Sequence, residues 1–241
     1  MDTKQEVSSS SYFTDSVSTL QHIQEKHIHL KEINTIVCLG LGHFAWCASA
    51  RNQLAFITLI QEELAIPEIL FQDPAFTPGE IDILKTLGFD VIPGNLEGKF
   101  DTDPEKIYLF YLPHCPKQLT NNLLWQNWGT KLSNIILLSN SFSGILISQS
   151  QRSLQVDAKL IVQAEDFTEE IPLENNFIFT DVFNDTSIHI FPKDLVEKKS
   201  ENFWDERGSE PIYCDPEFIS SALEKVTLED DSCSNTEIPT K

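Results

Sequence analysis

The feature that most constrains the fold is an alternation, between residues 17 and 191, of short apolar runs with longer segments of helical period. Runs of strand length cover 33–39, 68–72, 89–92, 106–112 and 134–138. The first of them, INTIVCL, is largely apolar and β-branched, as expected of a strand that is covered on both faces. Such an alternation predicts parallel strands joined by helical crossovers.

The segments around these runs complete the prediction. Helices are expected over 15–31, 44–64, 78–88 and 118–128, and a helix or irregular segment over 148–173. Two further strands, 176–183 and 187–191, flank Asn184 and Asp185, and so short a connection demands an antiparallel hairpin. We therefore predict an α/β fold, a Rossmann-like three-layer sandwich with a mostly parallel sheet and a C-terminal antiparallel hairpin. This is the strand plan of nucleotide-dependent methyltransferases.

The two ends of the chain differ from its middle. The length of 241 residues suits one domain, which we place over 15–192. Residues 1–14 are polar and are expected to form a flexible tail. Residues 193–241 are rich in acidic side chains and are expected to form a largely extended C-terminal tail, whose role the sequence does not reveal.

The charge balance restricts the partners. Lys and Arg total 17 against 37 Asp and Glu, which gives a formal net charge of −20 at pH 7. Direct binding to nucleic acid or to an anionic membrane needs clustered basic residues, so neither is expected. An odd number of cysteines, 5, favours reduced thiols. With no signal peptide and no apolar run of membrane-spanning length, we expect the cytoplasm, the nucleus or both.

Candidate site residues follow from the fold, because ligands of open parallel sheets bind outside the carboxyl ends of the strands. This rule, together with the polar interruption of the long second helix, selects Gly40, Gly42, His43, Arg51, Asp73, His114, Asn140 and Ser141. Glycines after the first strand let a ligand approach the backbone, and Asp73 after the second strand could accept from two ribose hydroxyls. The alternative is structural: a tight strand-to-helix turn at the glycines and a turn or cap role for Asp73.

Other chemistry has weaker support. His114 and Cys115 are adjacent, but the chain lacks the CxxC or HxxxH spacing of metal sites, so we expect no metal site. Cys115 and Pro116 match a dipeptide through which some regulated proteins bind haem, which leaves His114 and Cys115 as remote haem-ligand candidates. Ser141 lacks the GxSxG context of hydrolases. No catalytic constellation is recognisable, and whether the chain is an enzyme stays open.

Four stretches together resemble the Sensitivity to Red-light Reduced family. They are GLGHF at 40–44 with ARNQLA at 50–55, DPAF at 73–76, HC at 114–115 followed by NNLLW at 121–125, and FNDTSIH at 183–189. The resemblance covers about residues 33–191. It implies a single-domain regulatory protein linked to circadian clock input and to the regulation of haem biosynthesis, with no agreed biochemical activity.

Two hypotheses of different classes remain. The first is a regulatory module that binds a small ligand, an adenosyl nucleotide or haem, and passes its state to an unidentified protein partner. The second is an enzyme dependent on a nucleotide cofactor, such as an S-adenosylmethionine-dependent methyltransferase, in which His114 or Asn140 would face the reacting group.

Overall fold

A computed structural model describes residues 3–213, and within them seven strands form one mixed sheet. The strands are β1 (Thr35–Leu39), β2 (Glu68–Gln72), β3 (Asp90–Val91), β4 (Tyr108–Leu112), β5 (Ile135–Asn140), β6 (Glu169–Pro172) and β7 (Thr186–Ile190). Their order is β3-β2-β1-β4-β5-β7-β6. The first five are parallel, β7 is antiparallel to β5, and β6 is antiparallel to β7. The predicted Rossmann-like class and its methyltransferase-like strand plan are confirmed.

Helices cover both faces of the sheet, as the three-layer prediction requires. The described helices are α1 (Thr3–Ser8), α2 (Ser11–Lys26), α3 (Ala48–Glu63), α4 (Pro78–Thr86), α5 (Lys117–Gln126), α6 (Phe142–Ser148), α7 (Gln151–Asp157), α8 (Lys159–Ala164), α9 (Lys193–Val196) and α10 (Glu201–Asp205). Every residue of β1, β4 and β7 is buried. Alternate residues of the central strands therefore contribute to two apolar cores, one shared with α1–α4 and the other with α5–α10.

The predicted first strand of the hairpin is wrong. Residues 176–183 are irregular, and β7 pairs instead with β6, which lies inside the segment predicted as a helix or irregular chain. Phe177, Val182 and Phe183 are buried, and Phe183 stacks on Tyr12 with ring centroids 4.4 Å apart. These aromatic side chains have high strand propensity, but here they fill the core from a loop.

The prediction of a flexible N-terminal tail over 1–14 is wrong for the described residues 3–14. Both α1 and the first turn of α2 lie there, so α2 begins and ends earlier than the predicted helix over 15–31. Val7, Tyr12 and Phe13 are buried in the same core as α3. Ser10 caps α2 by accepting a hydrogen bond from the Phe13 amide at 3.2 Å.

The prediction of an extended tail from residue 193 is wrong for 193–213, and 214–241 lie outside the described residues. Phe203 and Trp204 on α10 pack against Trp128, with ring centroids 5.6 and 5.4 Å away. Tyr213 is buried, and its hydroxyl accepts a hydrogen bond from Asn121 Nδ2 at 2.7 Å. Among the described residues, no helix has the length and apolar character to cross a membrane.

Candidate functional site

The switch point of the sheet lies between β1 and β4. The crossover helix after β1 packs on one face and the helix after β4 packs on the other, so the loops leaving these neighbouring strands diverge. A cavity of about 230 Å³ opens there, which we call the rim cavity. It is lined by Gly40, Gly42, Gln72, Asp73, Pro74, Ala75, Asn95, His114, Cys115, Pro116 and Leu119. Four of the eight predicted site residues, Gly40, Gly42, Asp73 and His114, are thus brought together.

The Asp73 carboxylate is held in place by two backbone amides. Oδ2 accepts from the Gly42 amide at 2.6 Å, and Oδ1 accepts from the Ala75 amide at 2.8 Å. The bond to Ala75 gives Asp73 the turn role that was the structural alternative in the sequence analysis. The bond to Gly42 joins the end of β2 to the glycine turn after β1. A carboxylate offers about four acceptor positions, so Asp73 retains capacity for the hydroxyls of a ligand.

The two glycines of the turn are required for different reasons. Both have φ in the left-handed region, +68° at Gly40 and +77° at Gly42. A Cβ atom at Gly40 would lie 2.5 Å from Cys115 Sγ, whereas one at Gly42 would have no atom within 4 Å. Gly40 therefore serves close packing, while Gly42 leaves the wall of the rim cavity open.

The loop that follows is bound to a buried carboxylate. Because α3 begins at Ala48 and not at the predicted residue 44, residues 43–47 form a loop. Glu80, which is 1% exposed, accepts from the Ala45 amide at 2.9 Å and lies 3.2 Å from His43 Nδ1. Burial alone would raise the pKa of Glu80, but hydrogen bonds from Thr77, Ala45 and His43 outweigh it and lower the pKa to about 2. His43 therefore anchors this loop and does not line the rim cavity.

The surroundings of Cys115 do not fit a haem ligated through its thiolate, and His114 is held by one of its two ring nitrogens. Cys115 Sγ lies within 3.3–3.5 Å of the carbonyl oxygens of Leu39, Gly40 and Pro113. Burial raises the pKa of the Cys115 thiol, and these carbonyls disfavour a thiolate further. His114 Nε2 lies 3.1 Å from the carbonyl oxygen of Asn184, where it donates as the protonated nitrogen.

Besides His43, three predicted site residues lie outside the rim cavity. Arg51 is exposed, and its guanidinium donates to the carbonyl oxygens of Phe44 and Ala45 at 3.2 and 3.1 Å. Asn140 Nδ2 donates to the Cys115 carbonyl at 3.0 Å. Ser141 Oγ caps α6 by accepting from the Gly144 amide at 2.9 Å. These bonds hold loops, and none of the three residues lines the rim cavity, so their contact with a ligand stays a prediction.

A second cavity of about 310 Å³ adjoins the first, and we call it the side cavity. It shares Asp73, Pro74 and Asn95 with the rim cavity and is otherwise lined by Phe76, Ile81, Lys85, Val91, Ile92, Pro93 and Gly94. Sequence reasoning missed Asn95 and the buried Gln72, whose Nε2 donates to the Gly94 carbonyl at 2.8 Å. Asn95 follows the short strand β3, so the strand-end rule could have found it.

Metal-ligating side chains do not gather in the described part of the chain. No group of three or more His, Cys, Asp or Glu residues within residues 3–213 could hold a metal ion. The rim cavity offers one carboxylate, one imidazole, one buried thiol, a few amides and apolar walls.

Comparisons with known families and proteins agree with the resemblance. A family model described as the SRR1 domain matches residues 19–190. An SRR1-like protein of Drosophila melanogaster is 34% identical over 83% of this chain and 70% of its own length. An SRR1-like protein of Mus musculus is 40% identical over 54% of this chain, and this chain covers 53% of it. For Protein SENSITIVITY TO RED LIGHT REDUCED 1 of Arabidopsis thaliana the identity is 30%, over 65% of this chain and 58% of the relative.

Solved structures similar to this chain are more distant. The plantazolicin methyltransferase BpumL in complex with SAH has a TM-score of 0.40 at 15% identity, over 78% of this chain and 90% of that protein. The 23S rRNA methyltransferase ErmE has a TM-score of 0.37 at 13% identity, over 90% of this chain and 76% of that protein. Such distant likenesses say nothing about the activity of this chain.

Proposed function

Since the chain belongs to the SRR1 domain family, we propose that it is a regulatory protein that holds a small ligand in the rim cavity and passes the bound state to a protein partner. The observation that carries this proposal is the position of Asp73. Its carboxylate lies at the switch point, borders two adjoining cavities and keeps acceptor positions after binding Gly42 and Ala75.

The process that it regulates is proposed from the family alone. One relative, from Arabidopsis thaliana, bears a name that refers to sensitivity to red light. We propose a link to circadian clock input and to the regulation of haem biosynthesis, with the protein acting in the cytoplasm, the nucleus or both. Haem itself is not proposed as a ligand bound through Cys115, because the buried thiol lies among three carbonyl oxygens.

Native mass spectrometry of the full chain, purified from its native host, tests the proposal directly. A bound small molecule should be released on denaturation, and the Asp73→Ala variant should carry less of it. The Asp82→Ala variant is the matched control, since Asp82 is exposed on α4 and lines neither cavity. Protein that carries no ligand, and that gains no thermal stability with any nucleoside or nucleotide at millimolar concentration, would contradict the proposal.

An S-adenosylmethionine-dependent enzyme is the second candidate, and one observation favours it: an acidic residue, Asp73, directly follows β2 in a sheet of methyltransferase-like strand order. Of the two residues expected to face the reacting group, His114 lines the rim cavity and Asn140 does not. Formation of S-adenosylhomocysteine with a native extract would favour the enzyme. Binding without turnover would favour the regulatory module.

A further inference from the structure

We propose that the ligand of the rim cavity is a phosphate-free nucleoside, neutral or cationic, that presents a free 2′,3′-diol to Asp73. This inference rests on the proposed function, which says only that the cavity holds a small ligand. It rests on three observations: backbone amides of the glycine turn are already hydrogen-bonded, the lining of the rim cavity contains no Lys or Arg, and both cavities border the Asp73 carboxylate.

Three amides of the turn that could bind a phosphate already donate to the protein. The Gly40 amide donates to the Gln72 carbonyl at 3.1 Å, the Gly42 amide to Asp73 at 2.6 Å and the Ala45 amide to Glu80 at 2.9 Å. In phosphate-binding turns such amides point at the ligand, close to a helix N-terminus. Here the two carboxylates take the place of an anionic ligand, and α3 begins only at Ala48.

The charge around the rim cavity also disfavours a phosphate. None of the described residues that line it is Lys or Arg, and its carboxylate is that of Asp73. Lys85 borders only the side cavity. A phosphate on the 2′ or 3′ oxygen would face Asp73, and one on the 5′ oxygen would enter a cavity without a cationic partner. Haem carries two carboxylates and meets the same obstacle.

The side cavity supplies the complementary surface. Phe76, Ile81, Val91 and Ile92 form apolar walls that suit a flat base. Asp73 and Asn95 lie where the two cavities meet, so a base in the side cavity would bring its sugar to the carboxylate. Two adjacent hydroxyls can both donate to one carboxylate, and this pairing specifies the diol. A cationic or neutral 5′ substituent would then enter the rim cavity.

Isothermal titration calorimetry of the full chain with adenosine, guanosine, uridine, 2′-deoxyadenosine, AMP, NAD and haemin tests the inference. At least one ribonucleoside should bind, and 2′-deoxyadenosine, where adenosine is the ligand, should bind about 10-fold or more weakly, because Asp73 loses a partner. AMP and NAD should bind at least about 10-fold more weakly than adenosine. Asp73→Asn should weaken nucleoside binding by about 10- to 100-fold and should reduce the difference in affinity between the nucleoside and AMP. Asp82→Asn should change neither the nucleoside affinity nor this difference.

The outcomes separate this inference from the proposed function. If AMP, NAD or haemin bound as tightly as the nucleosides, the claim that the ligand lacks a phosphate would be wrong, whereas the proposed binding site would be retained. Equal affinity for adenosine and 2′-deoxyadenosine would overturn the diol contact, and this comparison needs only the wild-type chain, whether or not Asp73→Asn folds. Failure of every probe, in a protein that also carries no ligand from its host, would overturn the proposed function itself.

Discussion

Replacing Gly40 with alanine should destabilise the protein far more than the same change at Gly42. Both residues have positive φ, which costs an alanine about 1–2 kcal/mol. At Gly40 the new Cβ would also lie 2.5 Å from Cys115 Sγ, and such overpacking adds about 1–3 kcal/mol. We expect a loss of about 2–5 kcal/mol for Gly40→Ala and about 1–2 kcal/mol for Gly42→Ala.

A double-mutant cycle isolates the contact that carries this difference. Cys115→Ala removes Sγ and leaves the Cys115 Cβ position 3.9 Å from a Cβ at residue 40. Gly40→Ala in that background should then cost about as much as Gly42→Ala, a coupling of about 1–3 kcal/mol. Urea unfolding followed by circular dichroism measures all four proteins. Equal costs at the two glycines, or the absence of coupling, would refute the packing that we assign to this turn.

Three further predictions concern other contacts. The pKa of Glu80 is lowered from 4.5 to about 2, so its charged form stabilises the folded protein. This stabilisation is on the order of 3 kcal/mol above about pH 4.5 and is lost as the pH falls to about 2. The difference in unfolding free energy between the wild-type protein and Glu80→Gln should therefore decrease as the pH falls over that range. A difference that stays constant would contradict this assignment of the Glu80 carboxylate. Iodoacetamide at pH 7 should modify exposed Cys47 well before buried Cys115, as peptide mass spectrometry can show; equal rates would contradict the packed thiol. Tyr213→Phe should lower the free energy of thermal unfolding by about 1–2 kcal/mol, because Asn121 loses a buried hydrogen-bond partner. An unchanged melting temperature would contradict the packing of residue 213 against the domain.

The sequence predicted the parallel half of the fold because a buried strand leaves a continuous apolar run. β2 was placed at its observed bounds, and β1, β4 and β5 within one or two residues. β6 was not predicted as a strand because its sequence, EEIP, is typical of an edge strand, with two charged residues and a proline, and forms no apolar run. α1 escaped because its apolar contribution to the core is the single residue Val7.

The site was predictable to the extent that strand ends determine it. Gly40, Gly42, Asp73 and His114 reach the rim cavity because the carboxyl ends of parallel strands share one edge of the sheet. The direction of a side chain beyond the strand end depends on nearby carbonyl oxygens, which a sequence does not reveal. For that reason the sequence did not reveal that Arg51, Asn140 and Ser141 bond to nearby loops and lie outside the rim cavity.

The most direct test of the account is the backbone amide spectrum of the 15N-labelled chain during titrations with adenosine, guanosine and uridine, of which at least one should bind. Because the Gly42 amide donates to Asp73 Oδ2, a diol that engages this carboxylate must change the environment of that amide. We predict saturable shifts at Gly42, Ala75 and Asn95 and none at Asn34 or Glu105, which lie at the opposite edge of the sheet. Shifts confined to that opposite edge, or a spectrum unchanged by millimolar adenosine, guanosine and uridine alike, would contradict it.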